Sequence, residues 1–228
     1  MSRGQRVLQT FPAGREGGPH RLGVVADTHC PEFMAEVPRR VFEILSGVEA
    51  IVHCGDVGGK GGEKVLAALS EIAPVHAVRG DHDRGLESLP AMLELQWRGF
   101  GFGVLHGHRS HLLEEPSTLI STLSLGQIRP RIATGAWLRR RFPRADVILY
   151  GHSHEARVTR FGSQVHFNPG AVYIVDAQEA AARLRRHPGW FTWTWLQVTR
   201  RRRDRPRPSI GVVELTEGKL AFKVVPLD

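Results

Sequence analysis

The stretch RLGVVADTH, residues 21–29, is a short apolar run that ends in Asp27 and His29. A run of that length and composition reads as a strand. A carboxylate and an imidazole at its tip add nothing to packing. The same arrangement returns in EAIVHCGD (49–56), PVHAVRGDHD (74–83), GFGVLHGH (101–108), DVILYGHSH (146–154) and QVHFNPG (164–170). Six strands are therefore predicted to end in polar tips.

Helical spacing fills the gaps between the first three. Phe33, Val37, Val41 and Leu45 share a face in 32–47, as do Val65, Leu66, Leu69 and Ile72 in 62–73. Further on, MLELQW and FGFGVLHG around Arg98-Gly99 predict a hairpin, and SIGVVEL and KLAFKVV around Glu217-Gly218 predict a closing one. A β-α-β-α-β opening with such additions is an α/β fold with antiparallel strands.

In open α/β sheets ligands gather beyond the carboxyl ends of the strands. The tips collected there are Asp27, His29, Asp56, Asp81, His82, His106, His108, His152 and His154. A set of carboxylates and imidazoles without a thiolate suits a divalent ion such as Mn, Zn or Fe, and this one is large enough for two. His53 and His76 lie inside their apolar runs and read as core residues. Cys30 and Cys54 read as small apolar fillers beside the first two tips. Asn168 sits in Asn-Pro-Gly, where a turn role and a substrate contact weigh evenly.

Composition bounds the class. The 228 residues, 41% hydrophobic, suffice for one domain with a sizeable core. Two cysteines are too few for a disulfide scaffold and fit a cytoplasmic protein. No apolar run approaches a membrane span, so no membrane partner is expected. Residues 1–20, with Arg3, Arg6 and Arg15 and no apolar signal core, read as a flexible extension of a domain over 21–228.

The net charge of +8 is concentrated. Residues 129–144 hold six arginines and no acid, and 176–209 hold nine arginines against Asp176, Glu179 and Asp204. The second window also carries GWFTWTW (189–195), whose Trp-Thr-Trp alternation suits a strand face. Basic residues beside exposed aromatics grip single-stranded nucleic acid. The competing expectation is that the tryptophans pack on the domain or on a second subunit of a homo-oligomer, with the arginines solvated.

The ordered series Asp-x-His, Gly-Asp, Gly-Asp-His-Asp, His-Gly-His, Gly-His-Ser-His and Asn-Pro-Gly resembles the calcineurin-like metallophosphoesterases, nearest to their small bacterial and archaeal phosphodiesterase branch. No one motif is specific, but the ordered set, over residues 22–172 and the closing hairpin, is. The resemblance implies a four-layer α-β-β-α β-sandwich flanked by helices, with two divalent ions at one edge: Mn first, with Zn, Fe, Ni or Mg as alternatives. One ion would take Asp27, His29, Asp56 and His154, and the other Asp56 as a bridge with Asp81, His106 and His152. His82 matches the family's general acid and Asp83 would orient it; His108 and Asn168 would contact substrate. The implied reaction is hydrolysis of a phosphodiester by a two-metal-activated hydroxide, with His82 protonating the leaving oxygen. The alternatives are a phosphomonoesterase or nuclease of the same superfamily, or a non-catalytic scaffold. Two departures stand out. Asp81 replaces the asparagine usual in this pattern, and the chain is long between His106 and His152 and between Tyr173 and Ser209. The long stretches coincide with the basic windows, read as insertions at about 111–145 and 176–209.

Overall fold

The computed structural model describes residues 6–10, 19–108, 134–201 and 206–228. In it each of the six apolar runs is a strand: β2 (His20–Val25), β3 (Ala50–His53), β4 (Val75–Ala77), β6 (Phe100–Leu105), β7 (Val147–Leu149) and β9 (Gln164–Asn168). The two predicted hairpins add β5 (Met92–Trp97) before β6, and β10 (Ser209–Thr216) with β11 (Lys219–Pro226). At both turns the central residues, Arg98-Gly99 and Glu217-Gly218, have positive φ, the conformation that matches the twist of a two-residue hairpin.

The strands form two sheets, one in the order β11-β10-β2-β3-β4, the other β1-β5-β6-β7-β9-β8. Within each sheet three of the tip-bearing strands run parallel: β2, β3 and β4 in one, β6, β7 and β9 in the other. Because both faces of these strands are covered, their sequences read as unbroken apolar runs. Leu22, Val24, Val52, Leu95, Phe102 and Phe167 meet between the sheets. Val25, Ile51 and Ile210 face α1 (Arg39–Leu45) and α2 (Glu63–Ser70) through Val41, Leu45, Val65 and Leu69. On the far side Leu105 and Ile148 pack against Leu138 of α3 (Thr134–Arg141) and Phe142 just beyond it. The four-layer α-β-β-α expectation is met.

A single carboxylate fastens the ends of the sheets opposite the tips. Glu49, just before β3, accepts from Trp97 Nε1 (2.9 Å) and from Arg98 Nε and Nη2 (3.2 and 2.7 Å), and pairs with His20 Nδ1 (2.7 Å). Burial pushes this carboxyl up, but the bonds from Arg98, His20 and Trp97 outweigh it and hold Glu49 below its ordinary 4.5.

Three expectations are corrected, and one strand is added that no reading foresaw. The leader is not wholly loose: β1 (Arg6–Thr10) pairs in parallel with β5, whose backbone would otherwise form an unpaired sheet edge. The first helix begins only after Pro38, because a residue preceding proline is disfavoured in helical conformation. β8 (Arg157–Phe161), mostly exposed and charged, lacks the apolar signature of a strand and forms by pairing with β9. The tryptophan segment is a helix, α5 (Trp190–Arg201), packed on α4 (Ala177–Leu184). Leu196 and Ala180 are fully buried, whereas Trp190 and Trp193 are 66% and 46% exposed. Among the described residues no helix is long and apolar enough to cross a membrane. Of the basic windows, residues 111–133 and 202–205 lie outside the described residues.

Candidate metal centre

The tips of both parallel sets converge. The chain leaves β2 and β3 in step, Asp27 N–H bonding the Gly55 carbonyl and His29 N–H that of Asp56, both at 3.0 Å. To turn these side chains inward the backbone takes left-handed φ at Asp27 (53°), His29 (47°), Asp56 (55°), His152 (68°) and His154 (55°). Non-glycine residues rarely adopt this region, and a concentration of them marks a functional site. At Gly80 it is space rather than φ that requires glycine, because a Cβ there would collide with the Asp56 carboxylate and amide.

Two half-sites result. In one, His154 Nε2 lies 3.4 Å from Asp27 Oδ1, and His29 Nε2 lies 3.5 Å from Asp56 Oδ2. In the other, Asp81 Oδ1 lies 3.0 Å from His106 Nε2, 3.3 Å from His152 Nδ1 and 3.9 Å from His108 Nδ1. Asp56 stands between them. Its Oδ1 accepts the His82 amide at 2.9 Å, so Oδ2, also 3.3 Å from His106 Nε2, is the atom facing both halves. Asp27 is fixed by the His152 amide, 3.2 and 3.0 Å from its two oxygens.

The donor set fits divalent cations. His106 Nδ1 lies 2.9 Å from the Cys54 carbonyl, which can only accept, so Nδ1 carries a ring proton and Nε2 is the atom turned to Asp81 and Asp56. Buried His106 Nε2, Asp81 Oδ1 and His29 Nδ1 have no hydrogen-bond partner. Two carboxylate oxygens converging on one imidazole nitrogen call for positive charge between them, a proton on the ring or a divalent cation in its place. Burial pulls the His106 imidazole down, yet Asp56 and Asp81 outweigh it and hold it well above the ordinary range. Conversely, burial pushes up Asp27, Asp56 and Asp81, and the imidazoles, chiefly His154 for Asp27 and His106 for the others, hold all three below the carboxylate range. Hard oxygens with imidazole nitrogens and no thiolate are the ligands Mn, Zn or Fe accept. Asp27, His29, Asp56, Asp81, His106, His152 and His154 are thus all brought together.

The remaining site residues are redistributed. Asp83, expected to orient His82, does not face it. Its buried carboxylate accepts the amides of Asp56 and Gly80 on Oδ2 (2.9 and 2.8 Å) and of Gly58 and Gly59 on Oδ1 (3.1 and 3.4 Å). It clamps two tips together, because four convergent N–H donors hold an anion better than one flexible imidazole does. The carboxylate facing His82 is Glu32, whose Oε1 is 3.5 Å from Nδ1, in the part of 32–47 that turns as a loop instead of continuing the helix. Asn168, expected at the substrate, is fully buried: its Nδ2 donates to the Gly151 carbonyl (2.9 Å) and to Ser153 Oγ (3.1 Å), bracing the loop that carries His152 and His154. His108 stands on the exposed rim, and so does His82, whose side chain is 43% exposed. His53 is a core residue as expected: it lies 3.1 Å from Thr28 Oγ1 and accepts from the Gly55 amide, and burial lowers it to about 4.

One wall of the centre is aromatic. The Phe33 ring is 5.1 Å from that of His29, 5.7 Å from His82 and 5.5 Å from Tyr173. Above it, 4.8 Å away, lies the Arg183 guanidinium of α4, which also donates to Tyr173 Oη at 2.6 Å and to Glu179 at 2.7 Å. The second insertion is thereby joined to the rim.

Over residues 21–185 the chain matches the calcineurin-like phosphoesterase superfamily domain. It is 30% identical over 152 residues to a probable metallophosphoesterase of Methanothermobacter thermautotrophicus, covering 66% of this chain and 76% of that protein. Similar solved structures include Vps29 of Entamoeba histolytica complexed with Zn2+ (TM-score 0.55, 19% identity, 91% of this chain and 99% of that one). Another is an archaeal phosphodiesterase (TM-score 0.50, 18% identity, 90% of this chain and 99% of that one). At these identities the structural likenesses speak for the fold alone.

Proposed function

The chain belongs to the calcineurin-like phosphoesterase superfamily, and from that premise we propose that it is a metal-dependent phosphodiesterase acting through two divalent cations. The observation that carries this reading is Asp56 Oδ2, placed between an Asp27–His29–His154 half and an Asp81–His106–His152 half. Mn is the first candidate, and the Zn2+ complex of the similar Vps29 supports Zn as an alternative. Two such cations would supply an activated water as nucleophile and neutralise the non-bridging phosphate oxygens.

The chain's own residues do the rest. Asp83 holds the Asp56 and Asp81 tips in register, and Asn168 holds that of His152 and His154. His82, on the rim with Nδ1 toward Glu32, presents Nε2 to the leaving oxygen and gives it a proton. A non-catalytic scaffold has no use for an imidazole there. Cys30 and Cys54 are free and buried, which supports a reducing, cytoplasmic setting.

The test is elemental analysis of the purified chain followed by assay on bis(p-nitrophenyl) phosphate and p-nitrophenyl phosphate, with chelator and with added Mn. About two ions per chain and chelator-sensitive diester hydrolysis are expected. Asp56→Ala should lose both ions and the activity while remaining folded. A variant that kept two ions would refute the bridge, and a loaded parent that left diesters intact would refute the reaction.

A further inference from the structure

The α4–α5 hairpin has no part in holding the cations, yet it is fixed to their rim. We propose that it is a gripping arm for single-stranded nucleic acid, whose phosphodiester backbone it leads to the metal centre. This deepens the phosphodiesterase reading and rests on it.

Three observations converge on the arm. Trp190, Trp193 and Arg200 are exposed along α5, spaced i, i+3 and i+10, at the border of the side that buries Leu196. Two large exposed tryptophans followed by a cation place stacking surface and phosphate partner in one line of about 15 Å, the reach of a few nucleotides. Charge is the second observation. Arg185 and Arg186 are exposed in the turn before Trp190, and residues 176–209 carry nine arginines against three acids. A polyanion complements that balance of charge.

Position is the third. Arg183, two residues before that turn, lies on Phe33, whose ring touches those of His29 and His82. A strand lying on Trp190 and Trp193 is therefore carried toward the proton donor. An anionic membrane is the weaker occupant, because a helix lying in an interface needs a broad apolar face. In α5 the described apolar exposure is confined to two tryptophans, and Leu196 is already buried.

The experiment uses the full chain, with chelator present to prevent cleavage. Binding of a fluorescein-labelled 12-mer of dT is followed by anisotropy from 50 to 300 mM salt, beside vesicles of phosphatidylserine and inorganic polyphosphate as competitor. Affinity should fall steeply with salt. Trp190→Ala/Trp193→Ala should weaken binding by about tenfold or more through lost stacking, and Arg185→Gln/Arg186→Gln should flatten the salt dependence. Both variants should hydrolyse bis(p-nitrophenyl) phosphate, with metal restored, at the parent rate. The arm is refuted if the parent binds no oligonucleotide at 50 mM salt, if the tryptophan variant binds as well as the parent, if polyphosphate displaces the oligonucleotide at equal phosphate, or if only the vesicles bind. Loss of small-diester activity in the parent would instead sink the phosphodiesterase reading, and the binding result stands apart from it.

Discussion

Replacing Asp83 by asparagine separates the two roles that its place beside His82 suggests. The carboxylate offers each of its oxygens to two backbone N–H groups, those of Asp56 and Gly80 on one and those of Gly58 and Gly59 on the other. Asparagine has the same shape but only one acceptor oxygen. In either orientation its NH2 group confronts two of the four donors. Leaving two buried N–H groups without a partner, at about 1–3 kcal/mol each, destabilises the fold by about 2–6 kcal/mol. In a chain of this size each kcal/mol moves Tm by about 2–4 °C, so a fall of at least about 4 °C is expected. Metal affinity should fall too, because the clamp sets the distance between the Asp56 and Asp81 tips. The proposed proton donor, His82, is untouched, so the rate of the fully loaded variant should change by one common factor for good and poor leaving groups. Thermal denaturation and kcat across a series of aryl and alkyl diesters would measure both. An unchanged Tm with a rate loss that deepens as the leaving group worsens would refute the clamp and return Asp83 to His82.

His82→Asn should leave metal content unchanged and lower the rate by about 10²–10⁴, most for poor leaving groups; loss of metal on elemental analysis would make His82 a ligand instead. Asp81→Asn removes the charge on which His106, His152 and His108 converge. It should weaken retention of one ion, yet match or exceed the parent rate on an anionic diester when Mn is in excess, and a loaded but inactive variant would contradict this. Glu49→Gln should destabilise the chain by about 1–3 kcal/mol at neutral pH through its bonds to Arg98 and Trp97. Because Glu49 is held below 4.5 when folded, its contribution is complete above that value and is lost as pH falls through the folded value. Urea titrations should therefore show the gap between parent and variant narrowing as pH falls below 4.5 and widest near neutrality, and a gap independent of pH would exclude the charge as its source.

The strands and their tips were legible because β2, β3, β6, β7 and β9 are buried on both faces, so each apolar run ends where its chemistry begins. The clustering of seven metal-capable residues followed from that geometry and from the order of the motifs. What failed depends on contacts between distant segments. Gly-Asp-His-Asp does not reveal that the last carboxylate meets amides from residues 56–59, and Asn168 reads alike whether it meets substrate or the Gly151 carbonyl. Glu32 falls in 32–47, whose helical spacing gave its carboxylate no role and whose first residues form a loop. A three-residue Trp-Thr-Trp alternation is too short to separate strand from helix, and α5 is decided instead by Leu196 packing in the hairpin. β8 and β1 exist through their pairing with β9 and β5 rather than through any apolar signature.

The left-handed backbone at Asp27, His29, Asp56, His152 and His154 has a consequence for descent. An L residue in that conformation costs about 1–2 kcal/mol, more than the roughly 0.4–1 kcal/mol by which glycine's looser unfolded chain opposes folding. At each of these positions, then, glycine is the residue the backbone prefers and the one that removes a metal-capable side chain. On the proposed function, selection holds the five side chains in place against a slope in stability. Asp81 and His106 lie on no such slope, since their backbone is ordinary. In a lineage released from catalysis, ligands should erode first at the five strained positions, and the proteins that result should be sturdier as they become inert.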